Sequence, residues 1–196
     1  MLLATGTCDN IPNIPGFAEF WGRGIYHCPF CDGWEYRHKR IGLYSAINCY
    51  GMALELRKLS KNLTIFTDSR KYFSPRQRLV ISAAGIKINA EKVHEVKKDD
   101  AEILHLSSGA NSISDLDVLF VNNGNTVNRE LLLQLNCKCA LVGGAITNKK
   151  QQTNVCGLYV AGDSSLDMQF VVVAAAEGAK AGVAIHNDLL EVDNAI

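Results

Sequence analysis

The chain has 196 residues, 47% of them apolar and 20% charged, with 20 Lys and Arg against 20 Asp and Glu. That length suits one large domain or two small ones, and the composition is that of a folded protein. Zero formal net charge, with no long run of either sign, speaks against nucleic acid or an anionic membrane surface as the main partner, and no apolar run reaches the ~18–20 residues that cross a bilayer.

Residues 1–6, MLLATG, form a short apolar run ending in Gly, as a buried strand does when it meets a turn. Residues 8–20 hold Pro12, Pro15 and Gly16 without helical period and are expected to be extended, and 33–40 is aromatic and charged. From Ile41 strands and helices alternate: a strand at 41–45, a helix at 48–59 with Met52, Ala53, Leu56 and Leu59 on one face, and a strand at 63–67. A helix over 75–84 starts at Pro75 and stops at Gly85, and a strand follows at 86–88. Residues 93–97 and 103–106 read as a hairpin, 116–121 as one apolar strand and 129–135 as a helix. Residues 157–163, GLYVAGD, read as a buried strand ending in Gly-Asp, before a helix of apolar and small residues over 170–190. This order predicts an open, mainly parallel sheet with helices on its faces.

The chemistry-bearing stretch is His27-Cys28-Pro29-Phe30-Cys31-Asp32-Gly33. A CxxC pair closes a small disulfide ring, and its thiolate attacks other disulfides; Asp32 beside it is a proton donor or acceptor. Half a zinc site is the competing reading, but Cys8, Cys49, Cys137, Cys139 and Cys156 supply no second CxxC, and Cys137-x-Cys139 is the nearest substitute. A structurally inert pair is the third. The N-terminus has neither the basic start nor the long apolar core of a signal peptide, so a cytoplasmic location is expected, where seven cysteines, an odd number, are harmless.

Several segments together resemble the thioredoxin reductase family of NAD(P)- and FAD-dependent flavoprotein disulfide reductases: Leu2 to Gly6, Trp21-Gly22-Arg23-Gly24, HCPFCDGWE from His27, GLYVAGD from Gly157 and MQFVVVAAAEGAKAGVAI from Met168. The resemblance implies two Rossmann-like, three-layer lobes, with an FAD lobe split around an inserted pyridine-nucleotide-type lobe. It places residues 1–21 and 146–196 in an incomplete FAD lobe and 22–145, with the CxxC, in the insert. It implies that Cys28 exchanges with the substrate disulfide, Cys31 faces the flavin and Asp32 transfers protons. Ala4, Thr5, Gly6, Gly162, Asp163, Met168, Gln169, Phe170 and Val171 would hold FAD. Electrons would pass from NAD(P)H through FAD to Cys28–Cys31 and on to a thioredoxin-like protein or a small disulfide.

The sequence departs from that family in two places. The GxGxxG turn that binds the FAD pyrophosphate is not in it, so the resemblance implies either association with a chain supplying that portion or a homodimer, and an unpacked apolar face on the last helix. The insert's own glycine turn reads Tyr44-Ser45-Ala46-Ile47-Asn48, which puts NAD(P)H in doubt. Asp68 could hold a ribose hydroxyl, Arg70 and Lys71 a 2′-phosphate, or all three a solvated loop. Two other readings compete: a thioredoxin- or glutaredoxin-fold oxidoreductase, since CPFC resembles the glutaredoxin tetrapeptide, and a non-catalytic remnant of the reductase fold. The first leaves GLYVAGD and the alanine-rich helix unexplained.

Overall fold

In the computed structural model, which describes residues 1–141 and 143–193, the chain passes through β1 (Leu2–Leu3), β2 (Thr7–Asp9), β3 (Ile25–Tyr26), the one-turn α1 (Pro29–Asp32), β4 (Ile41–Ser45), α2 (Tyr50–Leu59), β5 (Leu63–Phe66) and α3 (Pro75–Ala83). It continues through β6 (Lys87–Asn89), β7 (Val93–Lys98), β8 (Leu104–Ser108), β9 (Ser112–Leu116), β10 (Val118–Asn122), β11 (Asn125–Val127), α4 (Arg129–Gln134), β12 (Tyr159–Val160), a 3-10 turn at Gly162–Ser164 and α5 (Val171–Asp193). These fall into two compact units, Ile11–Asn123 and, from two separate stretches, Met1–Asn10 with Gly124–Ile196.

The continuous unit is built on β4, all five of whose residues are buried. It lies inside a parallel sheet ordered β3-β10-β4-β5-β6. Because strand side chains alternate, one face of the sheet carries Ile41, Leu43, Leu63, Ile65, Val118 and Phe120, which pack on Ala53 and Leu56 of α2 and Ile81 of α3. The other carries Tyr44, Phe66, Leu119 and Val121, which pack on Phe17 and on Val93, Val96, Leu104 and Leu106 of an antiparallel β7-β8-β9 meander. The α/β architecture with a parallel sheet is the one expected. Helix α3 is fixed by more than Pro75: Ser74 Oγ accepts from Gln77 N at 3.2 Å while Gln77 Oε1 accepts from Ser74 N at 2.9 Å.

One expected strand is two. The run over 116–121 divides at Asp117, so that Ser112–Leu116 closes the meander and Val118–Asn122 enters the parallel sheet. The cause is Arg40. Its backbone N donates to Asp117 Oδ2 at 2.7 Å, and its guanidinium donates to Oδ2 at 3.1 Å and Oδ1 at 2.9 Å. These bonds turn the chain where apolar periodicity alone would carry it straight on.

In the other unit β1 runs parallel to β12 and β2 antiparallel to β11. Leu3, Val127, Leu132, Leu158 and Val160 form its core, and α5 packs through Ala181 and Ala184 against Tyr159 and Ala161. One side of α5 carries exposed apolar residues: Val171 is 90% exposed, Val172 73% and Val183 63%. No helix among the described residues is long and apolar enough to cross a membrane.

Candidate functional site

A single turn builds the dithiol. Cys28 precedes α1 in extended backbone, and Pro29 opens the turn, where a missing N–H leaves nothing unpaired. Cys28 O accepts from Cys31 N and Asp32 N, both at 3.2 Å, which folds Cys31 back toward Cys28. The sulfurs stand 2.9 Å apart, with Cys31 Sγ donating to Cys28 Sγ. Both are free thiols, Cys31 exposed and Cys28 half-buried. The bond to Cys28, then burial, then the nearby negative charges of Cys28 and Asp32 push the Cys31 thiol up to about 11. Cys31 therefore keeps its proton at neutral pH and offers it to any charge that forms on Cys28.

The surroundings are specific. The Asp32 carboxyl is held above its usual range by burial and then by Glu35, with His27 acting in the opposite sense. Gly33 lets the turn rest on α2: a Cβ there would stand 2.3 Å from Pro29 O and 2.7 Å from Leu59 Cδ1. Phe30 and Trp34 are exposed at 73% and 65%, and Arg37 lies 4.6 Å over the Trp34 ring. Tyr36 packs on Tyr26 with the hydroxyls 3.4 Å apart, and His27 stacks on Trp21. Cys137 is buried, which pushes its thiol up, and among the described residues no group of three or more His, Cys, Asp or Glu is placed to hold a metal.

In the discontinuous unit a cavity of about 360 Å³ is lined by Ala4, Gly6, Gly162, Asp163, Gln169, Phe170 and Val171, and also by Leu2, Ala161, Ala174 and Gly178. Thr5 and Met168 are not in its wall: Thr5 Oγ1 bonds Ser164 Oγ at 3.1 Å, and Met168 is 66% exposed. Gly162 has φ +73°, and a Cβ on it would reach 3.5 Å from Ala174. A mostly apolar wall of small residues with one carboxylate fits a flat ring system bearing a hydroxylated chain, so these residues suit part of FAD. Sequence reasoning missed Glu177. It is 3% exposed and accepts from Gly162 N at 2.7 Å and from Ser165 Oγ at 3.0 Å, tying the Gly-Asp loop to α5. A lone acid inside AAAEGAKAG is the signal that marks it. Gln169 in turn accepts from Asn125 Nδ2 at 2.6 Å.

The turn after β4 does not fit a dinucleotide. Ser45 Oγ donates to Ile47 O at 2.7 Å and Asn122 O at 2.8 Å, and the Tyr72 hydroxyl donates to Ser45 O at 3.4 Å. No glycine stands in this turn, so every residue of it carries a Cβ where a glycine turn leaves room for a pyrophosphate. Nor is Asp68 in a solvated loop: its carboxylate accepts from Val93 N at 2.9 Å, Tyr44 Oη at 3.2 Å and Arg70 Nη1 at 3.0 Å. Its acceptors are already used inside the fold.

A family model described as pyridine nucleotide-disulphide oxidoreductase matches residues 1–178. The chain belongs to that family. Members of this oxidoreductase family use FAD and NAD(P) in general. The chain is 26% identical over 212 residues to a thioredoxin reductase of Leptosphaeria maculans, covering 100% of itself and 64% of that protein. It is 28% identical over 199 residues to a thioredoxin reductase of Helicobacter pylori, covering 94% of itself and 64% of that protein. Its fold matches the crystal structure of HlmI with a TM-score of 0.91 at 26% identity, over 99% of this chain and 61% of the other. The chain thus spans less than two thirds of the length of each of these relatives.

Proposed function

We propose that this family member is a thiol–disulfide oxidoreductase of thioredoxin reductase type, with Cys28 as the attacking sulfur and Cys31 as the resolving one. The observation that carries this is the 2.9 Å contact in which Cys31 donates to Cys28. Cys28 thiolate attacks one sulfur of a substrate disulfide, forming a mixed disulfide and expelling the other sulfur as a thiolate. Cys31 then loses its proton, for which the adjacent residue's carboxylate, Asp32, is the proposed acceptor, and attacks Cys28 Sγ. The Cys28–Cys31 disulfide forms and the second substrate thiolate leaves. Two protein thiols are oxidised and one substrate disulfide is reduced.

Ala4, Gly6, Gly162, Asp163, Gln169, Phe170 and Val171 would hold FAD, and Thr5 and Met168 flank them. When bound, FAD supplies two-electron exchange with the dithiol. The glycine-free turn at 44–48 is a poor seat for NAD(P)H. The bare side of α5 favours association, with a second copy or with a chain that supplies the rest of the FAD site. The substrate class is a thioredoxin-like protein or a small disulfide, handled in the cytoplasm.

The test is stoichiometric. Chain pre-reduced and freed of reductant should reduce one equivalent of hydroxyethyl disulfide and finish with Cys28 joined to Cys31 on peptide mapping. Cys31→Ser should stop at an adduct on Cys28. An adduct on Cys31 instead, or no internal disulfide, would overturn the assignment. A second reading, a partner-binding remnant of the same fold, draws on the glycine-free turn; under it partner binding survives Cys28→Ser with Cys31→Ser.

A further inference from the structure

The segment that leaves the dithiol turns back to line a basic cavity. This cavity, of about 380 Å³, is bounded by His38 and by Arg57, Lys58, Leu59, Lys61 and Asn62, and among the described residues no carboxylate lines it. Its frame is fixed by backbone and side-chain bonds. His38 N donates to Leu59 O at 3.0 Å, the buried Ser60 Oγ donates to Lys39 O at 2.6 Å, and Arg57 Nε donates to Ala84 O at 2.6 Å. The stretch 37–62 holds six Lys and Arg but a single acid, Glu55, in a chain whose net charge is zero. Among the described residues, none of Arg37, Lys39, Arg57, Lys58 and Lys61 has a carboxylate within salt-bridge distance.

This cavity adjoins the dithiol turn. Leu59, in its wall, is the side chain on which Gly33 rests. Gly33 is two residues past Cys31, no more than about 8 Å of chain, so this wall stands beside the turn that carries the sulfurs. A second cavity, lined by Tyr26 and Tyr36, carries acids: Glu19, Asp99, Asp100 and Glu102. Of those charges, Glu102 is met within the fold by Lys98 and Asp99 by His105. The basic side is not.

We propose that the basic face formed by Arg57, Lys58 and Lys61 receives an acidic patch on a disulfide-bearing partner protein and so brings its disulfide to Cys28. This rests on Cys28 being the exchanging sulfur. Exposed charges of this kind act mainly on encounter rate and orientation. The exposed Phe30 and Trp34 supply apolar contact beside the sulfurs.

The experiment uses the full chain as Cys31→Ser and three peptides, each with one cysteine in disulfide linkage to thionitrobenzoate, flanked by four Glu, four Ser or four Lys. Cys28 thiolate attacks the peptide sulfur, the sulfur–sulfur bond to thionitrobenzoate breaks, and that thiolate leaves; the adduct on Cys28 is followed by mass spectrometry. At low salt the Glu peptide should add about fivefold or more faster than the Lys peptide, and the advantage should vanish near 1 M salt, where screening falls to ~3 Å. Lys58→Glu with Lys61→Glu should remove the advantage and leave the Ser peptide unchanged. Equal Glu and Lys rates at low salt, or an advantage that survives the double substitution, would overturn the docking proposal while leaving Cys28 as the exchanging sulfur. If even the Ser peptide adds elsewhere and not at Cys28, the exchange reading fails, and the docking proposal with it.

Discussion

Glu177→Ala removes the acceptor that holds the Gly-Asp loop on α5. Gly162 N loses a 2.7 Å bond to a carboxylate, and Ser165 Oγ loses its 3.0 Å contacts to both carboxylate oxygens. A bond to a charged acceptor contributes about 1.5–3 kcal/mol, and Glu177 is 3% exposed, so water does not readily replace it. Taking ~2 kcal/mol for the Gly162 bond alone, the amide should open about thirtyfold more often. Native-state hydrogen exchange of Gly162 reads this directly and does not require cofactor. Glu177→Gln, which keeps an oxygen acceptor, should lie between wild type and alanine. Exchange at Gly162 within about twofold of wild type in Glu177→Ala would refute the reasoning and show the loop to be held by something other than this carboxylate.

Other measurements bear on the dithiol and the sheet. Because the Cys31 thiol is pushed up to about 11, iodoacetamide at pH 7 should label Cys28 and spare Cys31, with Cys31 labelling rising only as the pH approaches that value. Comparable labelling of both at pH 7 would contradict the bond between them. Gly33→Ala sets a Cβ 2.3 Å from a backbone oxygen and should destabilise the continuous unit by about 1–3 kcal/mol, read from the urea midpoint by the fluorescence of Trp21 and Trp34. Arg40 holds the Asp117 carboxyl below the usual range by hydrogen bonding against the opposing effect of burial. A depressed native value adds stability above the unfolded value of ~3.9 and loses it as the pH falls through the native one. Asp117→Asn should therefore cost about 1 kcal/mol at pH 7, modest because Arg40 is 38% exposed, and the difference from wild type should shrink below about pH 4. A gap that stays constant down to pH 2.5 would show that the carboxylate's charge is not what Arg40 reads.

By itself the sequence determined what depends on neighbours a few residues apart. The short apolar run that opens Ile41–Ser45, the helical spacing of Ala53 and Leu56, the CxxC turn and the Gly-Asp that ends β12 are local patterns, because burial writes itself into adjacent positions as an apolar run in a strand covered on both faces and as a 3.6-residue period in a helix. The resemblance of those segments to a reductase family carried the expected FAD residues, most of which line one cavity. Tertiary structure alone decided the polar partnerships. Arg40 meets Asp117 across 77 residues and divides a run that reads as one strand, and β9, mostly serine and aspartate, becomes a strand only because β8 lies beside it. Ser45 closes its own turn with Asn122, and Asp68 is used up by Tyr44, Arg70 and Val93. Glu177 reveals its role only when the Gly162 amide is brought to it. Hydrophobic burial is a property each residue carries along the chain, whereas a hydrogen bond requires a donor and an acceptor within about 3 Å, and only the folded chain specifies which two those are.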